Sequence, residues 1–320
     1  MAPTDPFHDL PVLVTGAAGF IGSHLSEALV ARGARVRALD DFSTGKRDNL
    51  AGCRDAIELI EADIRDPQAC RQACADVALV FHQAALGSVP RSMADPAATI
   101  AVNVTGTANV FTAARDAGIR RVVYASSSSV YGDSDELPKR EGREGLPLSP
   151  YALSKRLDEE LAAVFSRCFG LELVGLRYFN VYGPRQDPWG QYAAVIPRFV
   201  AAHLAGEAPH VYGDGRQSRD FTFVGDAVSA NLLAAAAPAD ACGVYNVATG
   251  RETTLLQLEG LVRAVTGGRR QPQFLAPRPG DVRRSRAAVE RAAENLGFRA
   301  EVSLQEGLRA TLGEWPSAEP

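Results

Sequence analysis

The stretch Thr15-Gly16-Ala17-Ala18-Gly19-Phe20-Ile21-Gly22 limits what this chain can fold into more than any other. It follows a continuous apolar run, Val12–Thr15, and opens a segment of helical periodicity, Phe20–Arg32, that stops at Gly33. Glycines let the backbone turn tightly and approach a pyrophosphate, which a helix N-terminus then binds. Strand, glycine loop and helix in that order read as the entry to a dinucleotide-binding unit. Gly16, Gly19, Phe20, Ile21 and Gly22 are therefore expected at a cofactor.

The second strand ends in the acidic pair Asp40-Asp41. Asp40 is placed to accept hydrogen bonds from an adenosine ribose. A carboxylate there disfavours a 2′-phosphate, so NAD is expected rather than NADP. Lys46 and Arg47 lie close by in sequence and weigh against that choice. Asp63 and Ile64 end the third strand. Asp63 meets the adenine or serves as a helix cap or turn residue, two readings the sequence leaves equal.

β-rich runs and helical patterns alternate along the first half. Strands are expected at Arg35–Leu39, Ile57–Ala62, Leu79–Gln83, Arg121–Ala125 and Leu171–Arg177. Helices are expected at Pro67–Ala75, Pro96–Ala117 and Pro150–Cys168. That alternation predicts an α/β fold with a parallel sheet covered on both faces. After about residue 178 the texture changes. A loop over Asn180–Tyr192 leads into helices near Val195–Leu204, Asp226–Ala237, Thr254–Val265, Ala287–Leu296 and Ser303–Leu312. Short strands are read at His210–Tyr212, Asp220–Val224 and Val244–Asn246. The expected architecture is a Rossmann-type doubly wound sheet over residues 1–178 and a smaller mixed α/β substrate domain over 179–320, with the chain free to cross back to the sheet.

Composition excludes several classes. Of 320 residues, 46% are hydrophobic and 22% charged, with a net charge of -4, so no basic nucleic-acid surface is expected. No signal peptide or membrane span is read, and a cytoplasmic protein is expected. Cys53, Cys70, Cys74, Cys168 and Cys242 are scattered and odd in number, in a chain too long to need disulfide staples, and Cys70 and Cys74, four apart, suit burial as small apolar residues better than a metal site.

Only Lys46, Lys139 and Lys155 are lysines among 34 basic residues. One of them, Lys155, sits four residues after Tyr151 on a predicted helix, on the same face. A phenol is a poor base at neutral pH. A nearby ammonium favours its anion, which is how a tyrosine becomes a general acid and base. The run Ser126-Ser127-Ser128-Ser129-Val130-Tyr131-Gly132 follows the fifth strand and offers hydroxyls to a reacting oxygen.

The GxxGxxG spacing together with Tyr151-Ala152-Leu153-Ser154-Lys155 resembles the short-chain dehydrogenase/reductase superfamily, in its extended branch. His82-Gln83-Ala84-Ala85, Leu176–Gly183, Arg219-Asp220-Phe221 and Arg278–Asp281 resemble UDP-hexose 4-epimerases over about residues 10–315. His82–Ser92 and Gln186–Pro197 resemble the bacterial subgroup acting on UDP-N-acetylglucosamine and UDP-N-acetylgalactosamine. The resemblance implies a catalytic trio of Ser127, Tyr151 and Lys155. It adds Gln83, Ala84, Ala85, Asn103 and Tyr178 at the cofactor, with Tyr151 and Lys155 also touching it. It implies Asn180, Arg219 and Arg278 at the substrate diphosphate, Asp281 at the uridine ribose, and Ser127, Ser128 and Tyr151 at the sugar. Ser285 takes the position that limits the C2 substituent, with Gly87 and Ser88 beside the N-acetyl group. A homodimer through a four-helix bundle of Pro96–Ala117 and Pro150–Cys168 is also implied.

Related dehydratases and decarboxylases carry a carboxylate in the serine segment. Ser127–Gly132 has none, which leaves simple redox at C4. A uronate substrate would want an added cation, for which Arg91 and Arg185 are the candidates. A non-catalytic NAD-binding sensor is the rival of another class, since fold alone does not prove chemistry.

Overall fold

A computed structural model describes residues 5–190, 193–277 and 283–315. Its centre is a seven-stranded parallel sheet. Six strands come from the first half: β1 (Pro11–Thr15), β2 (Arg35–Asp40), β3 (Ile57–Glu61), β4 (Leu79–His82), β5 (Arg121–Ser127) and β6 (Glu172–Tyr178). The seventh is Gly243–Val247, which returns from the second half and pairs with β6, Tyr245 opposite Leu176. The spatial order is Gly243–Val247, β6, β5, β4, β1, β2, β3. The order reverses between β1 and β4, and a crevice opens there beyond the strand ends.

Why these runs form buried strands is plain in β1. Val12 and Val14 face one side of the sheet and Leu13 the other, and all three are buried. Val12 and Val14 pack with Leu25 and Leu29 of helix α1 (Phe20–Ala31) and with Ala227 and Ala230 of the helix Val224–Ala236. Leu13 packs on the opposite face. There α2 (Pro67–Cys74), α5 (Thr107–Asp116) and α6 (Pro150–Phe169) supply Cys70, Phe111 and Phe165. Two-sided burial is what a continuous apolar strand demands.

The expected single helix over Pro96–Ala117 is three pieces. After α3 (Val89–Ala94), α4 (Pro96–Ile100) runs into a π-helical turn, Ala101–Gly106, before α5 begins. Such turns put an extra residue into the helix and re-aim its side chains. Caps set the other ends. The carboxylate of Asp66 accepts from Gln68 N at 2.8 Å and that of Asp95 from Ala98 N at 2.9 Å, each just before a proline. The hydroxyl of Ser149 accepts from Ala152 N at 3.1 Å and starts α6.

The second half has its own small core of Tyr182, Phe199, Val211, Phe221, Leu258, Val262 and Leu308. Helices Val195–Leu204, Leu255–Thr266 and Leu304–Gly313 surround it. Its strands are short pairs, such as Ser218–Arg219 against Thr253–Thr254. The strand expected at Asp220–Val224 shrinks to Thr222–Phe223, because Val224 already begins a helix. The helix expected from Ala287 starts at Glu290, since Ala287 bridges to Lys139 instead.

Candidate functional site

A continuous cleft of about 1290 Å³ runs from the glycine loop to the second half. That exceeds an ordinary small-molecule pocket and suits two ligands end to end. A side pocket of about 70 Å³ opens off it beside Asp40, Asp41, Asp63, Ile64, Ala84 and Ala85.

At the glycine loop, space is the evidence for a ligand. Gly16 has φ +66°, and a Cβ on it would stand 2.6 Å from Ala84 N; one on Gly22 would stand 2.0 Å from the Gly16 carbonyl oxygen. Only glycine permits that close approach of loop, helix and strand end. Gly19 caps α1 without a side chain, which leaves the first N–H groups of the helix to a ligand. Asp40 is 5% exposed and accepts from Ala18 N and Phe42 N, each at 2.8 Å. Burial pushes its carboxyl above the usual range, while these N–H groups pull the other way.

The basic residues that weighed against NAD are engaged elsewhere. Lys46 Nζ lies 3.7 Å from Asp187, and Arg47 donates to Glu61 at 2.5 Å and stacks on Phe42. Asp63 lines the side pocket, but its carboxylate also binds Arg65 Nε at 2.8 Å, which holds it below the usual carboxylate range. Tyr178 and Gln83 line the cleft and hold each other, with the Tyr178 hydroxyl donating to Gln83 Oε1 at 3.0 Å. The buried Asn231 closes the triangle, donating to Tyr178 Oη at 2.7 Å and accepting from Gln83 Nε2 at 3.0 Å. Asn103 sits in the π-helical turn, fully buried, its side-chain oxygen accepting from Leu86 N at 2.8 Å and its N–H donating to Ser154 Oγ at 2.9 Å.

Tyr151, Lys155, Ser127 and Ser128 line the same cleft as the glycine loop. Lys155 is 2% exposed; its ammonium donates to the Ala125 carbonyl at 3.0 Å and to Asp158 Oδ2 at 3.1 Å. An ammonium has three donors, so one remains for a ligand. Ser127 Oγ accepts from Ser129 N at 3.2 Å and from Ser129 Oγ at 3.0 Å. With both acceptor positions filled, its own O–H is left to donate into the cleft.

The far end of the cleft is less regular. Gly87 lines the cleft, and a Cβ on it would meet nothing within 4 Å. Ser88 is the N-cap of α3, its oxygen accepting from Arg91 N at 3.2 Å. Asn180, at φ 38°, lines the cleft and donates to the Asp220 carbonyl at 2.9 Å. Arg219 lines it too and donates to its neighbour Ser218 O at 2.8 Å. Ser285 is 9% exposed, faces the cleft, and is held by its N–H on Ser218 O at 3.1 Å. Arg278 and Asp281 lie outside the described residues. Arg185 grips Glu27 through two hydrogen bonds of 2.8 and 2.7 Å.

Several groups at the site escaped the sequence reading. Arg177 of β6 binds Glu159 of α6 at 2.8 and 2.7 Å and Glu144 at 2.5 Å, all largely buried. Glu159 also accepts from Ser126 Oγ at 2.5 Å, so the serine strand and the helix of Tyr151 are pinned to one another. Glu159 follows Lys155 by four, and that helical spacing was the available signal.

Known proteins share this fold. The NAD dependent epimerase/dehydratase family matches residues 12–248. A UDP-glucose 4-epimerase of Mycolicibacterium smegmatis is 41% identical over 304 residues, covering 94% of this chain and 96% of that protein. A UDP-N-acetylglucosamine 4-epimerase from Methanobrevibacter ruminantium M1, solved with UDP-N-acetylmuramic acid, superposes with a TM-score of 0.92 at 39% identity, covering 96% of this chain and 98% of that one. The UDP-glucose 4-epimerase of Thermus thermophilus, solved with NAD, gives 0.88 at 37% identity over 97% and 100% of the two chains. Among the described residues no helix is long and apolar enough to cross a membrane, and no cluster of metal-ligating side chains occurs.

Proposed function

The chain belongs to the NAD-dependent epimerase/dehydratase family, and on that basis we propose that it interconverts the C4 epimers of a UDP-hexose, with UDP-N-acetylglucosamine and UDP-N-acetylgalactosamine as the main pair and UDP-glucose and UDP-galactose as the second. The observation that carries this reading is the shared cleft. The glycine loop, Ser127, Tyr151 and Lys155 line one cavity that continues to Asn180, Arg219 and Ser285. In this assignment residues 1–178 hold the cofactor and the reacting groups, and residues 179–320 supply the rest of the sugar-nucleotide site.

NAD supplies the reversible oxidation at C4. The chain does the rest. Tyr151 takes the proton of the C4 hydroxyl and later returns it to the C4 oxygen, after the 4-keto sugar has turned its other face to the cofactor. Lys155 stabilises the phenolate and offers its remaining N–H to the nicotinamide ribose. Ser127, whose oxygen is filled by Ser129, donates to the sugar oxygen. Asn180 and Arg219 orient the diphosphate, with Arg278 beside them and Asp281 at the uridine ribose. Guanidinium forks suit phosphate oxygens.

Room decides the sugar. Ser285 is small and faces the cleft, and Gly87, which also lines it, adds no side chain. The Ser88 hydroxyl, accepting from Arg91, keeps its hydrogen for an N-acetyl carbonyl. A uronate would ask for a cation near the sugar; of the two candidates, Arg185 is turned onto Glu27 and Arg91 sits on α3, and neither is among the residues that line the cleft.

The same reading includes a homodimer. Leu153, Leu157 and Val164 stand exposed on α6, with Val89 and Met93 exposed on α3. A second copy is the expected cover for that stripe. Leu157→Glu should then give a monomer by light scattering; an unchanged mass would count against it.

The test of function is direct. Purified protein, given UDP-N-acetylglucosamine and no added cofactor, should produce UDP-N-acetylgalactosamine by NMR and release NAD when denatured. Retained NAD with no epimer from any UDP-hexose would overturn the reaction assignment.

A further inference from the structure

The helix that carries Tyr151 and Lys155 also carries a buried carboxylate that the reaction above does not use. Asp158 is 1% exposed, and its Oδ2 accepts from Lys155 Nζ at 3.1 Å. The Thr107 hydroxyl of α5 stands beside the carboxylate and favours its charged form. That hydroxyl is also 2.9 Å from His82 Nε2 of β4, and His82 Nδ1 is 2.7 Å from Thr15 Oγ1. Thr15 ends β1, and its hydroxyl accepts from Ala84 N at 3.3 Å. A line of buried polar groups thus runs from the glycine loop through the sheet to the ammonium.

The other titratable groups facing Asp158 are Glu159 on its own helix and Tyr124 of β5. The Glu159 charge is met by Arg177 at 2.7 Å. Tyr124 stays protonated, since burial raises it well above the usual phenol. His82 stays neutral, as burial and then Lys155 push it down to about 3. Among the described residues Asp158 is the carboxylate paired with Lys155. Burial pushes its carboxyl up to about 6, with Lys155 pulling back, so it is ionised at neutral pH.

We propose that Asp158 is a positioning residue for the Tyr151–Lys155 pair: it fixes the ammonium against the Ala125 carbonyl, aims the remaining N–H of Lys155 into the cleft, and through the balance of charge sets the pH window in which the pair works. This rests on the acid–base role proposed for Tyr151. A buried carboxylate offsets the field of a neighbouring ammonium. Without it, the ammonium favours nearby anions more strongly and gives up its own proton more readily. Both effects move activity in the same direction, toward acid.

The test is the kcat–pH profile of the NAD-loaded enzyme, wild type against Asp158→Asn, on a UDP-hexose. The optimum of the variant should move to acid by about half a unit to one unit. The two profiles should converge below about pH 6, where wild-type Asp158 takes up its own proton. Profiles of the same shape, scaled down uniformly, overturn the proposal. A second measurement needs no turnover. Lys155→Met leaves the carboxylate buried and unpaired, so adding Asp158→Asn to that variant should raise its melting temperature. An unchanged or lower melting temperature overturns the pairing. If wild type epimerises no UDP-hexose, the proposed function fails, while the melting comparison still decides the role of Asp158.

Discussion

The two ends of the cleft are built in different ways. At the cofactor end, five-residue β1 and twelve-residue α1 meet at a loop whose shape is set by the backbone. No side chain could replace Gly16 or Gly22 there, because any Cβ collides with the chain itself. At the end proposed for the sugar, the wall rests on two-residue strands, Ser218–Arg219 and Thr253–Thr254, and on two backbone bonds that join Ser218 to Arg283 and Ser285. In the proposed assignment the cofactor is thus chosen by a framework and the sugar by a few side chains. A framework tolerates little change, whereas a side chain on a thin wall can be exchanged. The two relatives with different sugars in their names fit that view.

Substitutions at either end put this contrast at risk. The largest loss belongs to the reacting pair, where Tyr151→Phe should lower kcat by about 10²–10⁴-fold and leave NAD bound. Steady-state rates with an assay of retained NAD check both halves of that statement. Next comes the framework. Gly22→Val puts a Cβ 2.0 Å from the Gly16 carbonyl oxygen, so the folded variant should purify without NAD; a full complement of cofactor would show that the loop is softer than argued.

The mildest change lies behind the sugar wall. Glu252 accepts from Arg284 Nε at 2.7 Å and Nη2 at 2.8 Å, and also from the Ser218 hydroxyl. Arg284 first, then Ser218, hold its carboxyl down at about 2 against an ordinary 4.5. A carboxyl lowered on folding stabilises the fold above its unfolded value and loses that contribution as pH falls toward the folded one. The brace should therefore hold at neutral pH and weaken between about 4.5 and 2. Arg284 is largely exposed, so Glu252→Gln should raise KM for the sugar nucleotide by less than about fivefold, with kcat unchanged. A fall in kcat alone would place the brace elsewhere in the cycle.

Much of this was legible in the residues. Alternating apolar runs and helical periods placed β1 to β6, and the glycine loop named the cofactor end. What escaped was mostly long-range. Val244–Asn246 read as a strand, but nothing local says that it pairs with β6 rather than within the second half. The π-helical turn that holds Asn103 against Leu86 and Ser154 has no local pattern to announce it, and Pro96–Ala117 read as one helix. Arg177 and Glu159 were ordinary charges in a strand and a helix until the fold buried them together. Asp158 looked like one more acidic residue after Lys155, and only tertiary packing removes it from water.

A competition decides whether framework and side chain divide the work in this way. Equal amounts of UDP-N-acetylglucosamine and UDP-glucose are given in one tube to wild type and to Ser285→Tyr, with no cofactor added, and both products are followed by NMR. Wild type should turn over both sugars. The variant should keep its NAD and its UDP-glucose activity but lose about tenfold or more on the N-acetylated substrate. Equal losses on both sugars, or an N-acetyl activity untouched by the tyrosine, would contradict the division.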